Sequence, residues 1–136
     1  MEQQYRRTTP RIGVEAMCWE LTGRNPTTAL AIDVSAMGLC VERPYVGGPT
    51  QREVPLELEV PGIDEVMWAR GDACFDLVVP APPHLKTPMG LVRRTGYRIA
   101  AAATRDLRLL KEFVVETQRQ REQTKELDLE LALLFA

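Results

Sequence analysis

The ten prolines and nine glycines all lie within residues 10–96, and none follows Thr104. Proline removes a backbone donor and glycine favours turns, so the earlier region is held to short elements joined by turns. The later region is free of both and can sustain one helix. This division predicts a β-rich unit ending near residue 104 and a helical extension over residues 105–136.

The alternation of apolar and polar residues supports the first half of that reading. Residues 53–60 are the plainest strand: Val54, Leu56, Leu58 and Val60 inward, Glu53, Glu57 and Glu59 outward. Pro55 falls on the outward face and suggests an edge position or a bulge. Residues 12–22 place Ile12, Val14, Ala16, Cys18 and Glu20 on one face, apolar until Glu20. Residues 29–34 and 38–43 form two further strands. Residues 64–79 hold two apolar bursts with Gly71 as a bulge or turn between them, and Trp68 and Phe75 are read as core. Residues 89–102 form one long strand or two short ones. Five to seven short strands separated by turns mean a small antiparallel barrel or sandwich.

With 45% hydrophobic and 26% charged residues, the chain can bury a core and reads as globular. A formal charge of −2 gives no bulk attraction to nucleic acid or to an anionic membrane. No apolar run reaches spanning length, which leads to the expectation of a cytoplasmic protein without membrane insertion. Cys18, Cys40 and Cys74 are scattered and odd in number, so they suit neither a disulfide framework nor a metal site. The lone His84 lies in a proline-rich loop and reads as solvated. No nucleophile, Walker or zinc-protease motif is present, and no enzyme, cofactor or metal is expected.

Two short stretches carry chemistry. Arg6, Arg7 and Arg11 put three guanidinium groups into six residues, with no acidic residue between Glu2 and Glu15. Guanidinium forks suit phosphate and the O6/N7 edge of guanine, and their flat faces stack on bases. Twenty-two positions after Arg11 comes Asp33-Val34-Ser35-Ala36-Met37-Gly38. A carboxylate there can accept from a ring N–H and an exocyclic amine, and glycine permits close backbone approach. Taken separately, the first stretch could be an exposed basic terminus and the second an Asx or ST turn. Arg93, Arg94 and Arg98 either extend the basic surface or are solvated charges on a strand.

Arg7-x-x-x-Arg11 followed by Asp33-x-Ser35-x-x-Gly38 resembles the two-part signature of PilZ domains, bacterial receptors for cyclic di-GMP. The resemblance covers residues 5–104 and implies a mainly β fold, a small antiparallel PilZ-like β-barrel of about six strands. It also implies a cyclic di-GMP site made by Arg6, Arg7, Arg11, Asp33, Ser35 and Gly38. Similar domains with an arginine directly before the pair, as Arg6 is here, tend to take an intercalated dimer of the nucleotide. Ile99 stands where such domains usually carry phenylalanine. The function implied is a receptor that changes its surface on binding and regulates a downstream protein, in motility, pili, exopolysaccharide or transcription. The alternative is a ligand-independent adaptor of the same fold.

The signature does not explain residues 105–136. Thr104 is read as the helix N-cap, and Leu107, Leu110, Phe113 or Val114 as the face packed on the barrel. Residues 116–126 are polar all round. Leu127, Leu129, Leu131, Leu133, Leu134 and Phe135 alternate as in a strand, yet Leu127, Leu131 and Leu134 also fit a helix face; a continued helix is preferred. Such leucines are expected to dock on a second copy of the chain or on a different protein.

Overall fold

The computed structural model describes residues 11–135. Arg6 and Arg7 lie outside the described residues. Six antiparallel strands follow one another: β1 Arg11–Glu20, β2 Thr27–Ser35, β3 Gly38–Pro44, β4 Glu53–Leu58, β5 Met67–Pro80 and β6 Leu91–Ala102. They pair in the order β1-β2-β3-β6-β5-β4, and β4 returns to β1, so the sheet closes into a barrel. The barrel, rather than the sandwich, satisfies the six strands without leaving an edge.

Period-two patterning fills the interior. Val54, Leu56 and Leu58 from β4 are buried, as are Ile12, Ala16 and Cys18 from β1. Pro55 is not on a free edge. Its carbonyl accepts from Leu21 N at 2.9 Å, just past the last β1–β4 register pair, so its missing N–H falls where that ladder ends. Gly71 marks a bulge, not a turn: β5 runs unbroken for 14 residues, with register shifts against β6 at Arg70/Gly71 and Ala73/Phe75.

Two aromatic expectations fail. Trp68 is 56% exposed and Phe75 is 38% exposed. Trp68 alternates with buried Met67 and points away from the interior. Phe75 instead lies on the outer face of the β5–β6 ribbon, with its ring over the register partner Gly96. There it covers a glycine that has no side chain to pack.

Helix α1 spans Thr104–Leu134, 31 residues or about 46 Å at a rise of ~1.5 Å per residue. Leu110 and Val114 are buried in the barrel's core cluster, with Leu107 and Phe113 packed against it. The N-cap is Ala103, not Thr104, and no side chain caps it. Arg105 instead ties the first turn to Glu65 at 2.7 Å. The segment that alternates from Leu127 is helical through Leu134, which settles the strand alternative. From residue 119 to residue 135 every position is exposed. No helix among the described residues is long and apolar enough to cross a membrane.

Candidate functional site

The second half of the signature is positioned by an irregularity in β2. Ala29 and Ala31 are buried, and simple alternation would send Asp33 inward after them. Ala31 pairs with Val41 but Asp33 with Cys40, so β2 carries one extra residue at Ile32. The extra residue flips the phase: Val34 becomes the buried position and Asp33 turns out of the core. A second shift, between Gly13 and Ala16 of β1, lies against the same segment.

Across the ladder, Arg11 pairs with Ser35 and Gly13 with Asp33. Arg11 Nη1 stands 3.1 Å from Asp33 Oδ1, both side chains about a quarter exposed. Arg11 of the first stretch and Asp33 of the second therefore meet in space. Arg11 Nε is buried and has no hydrogen-bond partner among the described residues.

Ser35 and Gly38 hold the corner beyond Asp33. Ser35 Oγ accepts from Met37 N and donates to Gly38 O, each at 3.3 Å, which is a local ST turn. Met37 O accepts from Ile99 N at 2.8 Å and fastens the corner to β6. A Cβ on Gly38 would stand 2.5 Å from Tyr97 O, a backbone atom that cannot swing away. Glycine is thus required here by the close β3–β6 approach, whatever else it does. Burial, and then the Asp33 carboxylate, push the Cys40 thiol up to about 11.

The later arginines do not add free cationic surface. Arg93 sits 3.3 Å from Asp76 and donates to Gly48 O at 2.6 Å, Arg94 pairs with Glu42 at 2.9 Å, and Arg98 with Asp72 at 3.0 Å. Each has found a carboxylate. Among the described residues no group of three or more His, Cys, Asp or Glu could hold a metal ion.

Sequence reasoning missed two features. Glu20, the one charge on the inward face of β1, is 2% exposed. It accepts from Arg43 Nη1 at 2.7 and 2.9 Å and from the Tyr97 hydroxyl. Burial, followed by the Glu20 bond, pushes the Tyr97 phenol upward. These groups border a polar cavity of about 90 Å³ with Thr22, Thr27 and Gln51. A carboxylate breaking an otherwise apolar face was the available signal. The second feature is Arg121 of α1, whose Nη2 donates to Gly13 O at 2.8 Å, beside the candidate site. Nothing local in a polar helix could mark that arginine.

No family model matches the sequence, and no curated protein sequence does. Solved structures do. The inhibitor of motility MotI/DgrA from Bacillus subtilis superposes with a TM-score of 0.67 at 15% identity, over 88% of this chain and 55% of that one. The PilZ domain of YcgR from Escherichia coli, solved with c-di-GMP, gives 0.64 at 14% identity, over 90% of this chain and 98% of the domain. YcgR in complex with c-di-GMP gives 0.63 at 16%, over 90% of this chain and 50% of that one. The chain therefore spans about half the length of MotI/DgrA and of the longer YcgR chain, and nearly all of the isolated domain. At these identities the likeness concerns architecture: the six-stranded barrel with its C-terminal helix is the PilZ-domain fold.

Proposed function

We propose that this chain is a cytoplasmic, non-catalytic receptor for cyclic di-GMP. One observation carries the reading. On a PilZ fold, Arg11 and Asp33 of the two-part signature lie 3.1 Å apart. Arg11 would offer its fork to phosphate or to the guanine O6/N7 edge, and Asp33 would accept from the guanine ring N–H and amine. Ser35 and Gly38 would hold the Asp33 corner in place. Arg6 and Arg7 would close over the nucleotide from the preceding segment, and that closure would change the surface shown to a partner. The c-di-GMP complexes of YcgR support the reading at the level of fold.

Calorimetry on Arg7→Ala and Arg11→Ala tests the assignment. Each should lose affinity by about tenfold or more, since charge-assisted hydrogen bonds contribute ~1.5–3 kcal/mol. Unchanged affinity in both variants would overturn it.

The adaptor reading draws on a different observation, the exposure of Leu127, Leu129, Leu133, Leu134 and Phe135 on α1. A stable partner complex together with undetectable nucleotide binding would favour it.

A further inference from the structure

We propose that Arg121, far along the C-terminal helix, is a nucleotide-contacting residue of the same site; this rests on the receptor reading above. Arg121 Nη2 is 2.8 Å from the carbonyl oxygen of Gly13. Gly13 is the β1 residue paired with Asp33, two positions from Arg11. Paired backbone positions in an antiparallel ladder are only ~4.5–5.5 Å apart. A cation held on Gly13 is therefore a neighbour of the Arg11–Asp33 pair, although 108 residues of chain separate it from Gly13.

The chemistry of the contact matters next. Arg11 is neutralised in part by Asp33, whereas the Arg121 contact is to a neutral carbonyl. That bond uses one nitrogen of a group with five N–H donors. The side chain is exposed, and its other donors have no partner among the described residues. The neighbouring arginine on the helix, Arg119, differs: it is committed to Glu116 one turn away. Arg121 thus brings a positive charge with spare donors to a site proposed for a ligand carrying phosphates. A guanidinium in that position can fork a phosphate while its anchor to Gly13 fixes where it stands.

A consequence for signalling follows from the placement. Arg121 lies six residues before Leu127, where the exposed apolar cluster of α1 begins. A phosphate that engages Arg121 acts directly on the segment of helix carrying that cluster. Nucleotide occupancy and the position of the apolar end are then linked through one side chain.

The test is calorimetric titration of cyclic di-GMP into the full chain and into Arg121→Ala, Arg121→Lys and Arg119→Ala. The expected result is a loss of about tenfold in Arg121→Ala, the size of a charge-assisted contact. Arg121→Lys should recover part of it, because the charge returns without the fork. Arg119→Ala should match the unaltered chain. Both positions are exposed, so thermal melts of the three variants should coincide with that of the unaltered chain and exclude misfolding. Affinity in Arg121→Ala within twofold of the unaltered chain, when that chain binds, would overturn the proposal and leave the receptor reading intact. Absence of binding by the unaltered chain would overturn both.

Discussion

Glu20 and Tyr97 stand 77 residues apart in sequence and on strands that are not neighbours, yet the Tyr97 hydroxyl donates to Glu20 Oε2 inside the barrel. Arg43 completes the group by donating to both carboxylate oxygens. A buried carboxylate is tolerable only when paired, and breaking such a pair strands the remaining charge. Glu20→Ala should therefore lower the unfolding free energy by about 3 kcal/mol or more. Tyr97→Phe should cost less, about 1–3 kcal/mol, because it removes one bond and leaves the ion pair. Denaturant unfolding of both variants checks the order; an equal or smaller loss in Glu20→Ala would contradict it.

The thiols make the fold sensitive to alkali. Burial pushes Cys18 up to about 12, with the Glu20 charge adding to it, and pushes Cys40 up to about 11. In the unfolded chain both thiols ionise near the ordinary thiol range, so there the unfolded state loses protons that the folded state keeps. Stability is fully present below that range and falls as the pH rises through the folded values. The unfolding midpoint should drop between pH 8 and pH 11, and Cys18→Ala should flatten part of the drop. At pH 8 a thiol reagent should modify exposed Cys74 rapidly and the two buried cysteines only on unfolding. Rapid modification of all three would contradict the burial.

The signature glycine should prove structural. A Cβ at Gly38 meets the Tyr97 carbonyl at 2.5 Å, so Gly38→Ala must push β3 from β6. A loss of about 1–3 kcal/mol is expected, the usual cost of overpacking. A melting temperature equal to that of the unaltered chain would show that the two strands can part freely.

Local pattern carried much of this fold. The alternation at Val54, Leu56 and Leu58 marks β4, and the absence of proline and glycine after Thr104 marks α1. Of the motif residues, Arg11 and Asp33 come together across the β1–β2 ladder. What sequence reading could not supply was long-range. The exposure of Trp68 and Phe75 follows from which strand face the barrel closes upon, a property of the whole ring of pairings. The outward turn of Asp33 depends on a register shift at Ile32, invisible without its partner strand. Arg93, Arg94 and Arg98 read equally as basic surface or as solvated strand charges, and only topology brings Asp76, Glu42 and Asp72 to them.

The apolar end of α1 should govern assembly. Leu129, Leu133, Leu134 and Phe135 are each more than 60% exposed, a density rarely left in water. Light scattering should give a mass above one chain for the full sequence and a single chain for a truncation after Gln120. Single chains in both, with no partner retained by the full sequence alone, would contradict a docking role.

Arg6 should set how many nucleotides bind. An intercalated cyclic di-GMP dimer offers stacked guanines and four phosphates, enough for Arg6, Arg7 and Arg11 together. Arg6→Leu should move the ratio from two nucleotides per chain toward one; a ratio of two retained in Arg6→Leu would show that Arg6 does not set it.

The central claim is that this barrel receives cyclic di-GMP through the Arg11–Asp33 corner. Isothermal titration of cyclic di-GMP into the full unaltered chain tests it most directly. The expected result is saturable heat that reaches its plateau at two nucleotides per chain, and no saturable heat with GMP at the same concentration. A flat cyclic di-GMP titration from a folded chain would contradict it.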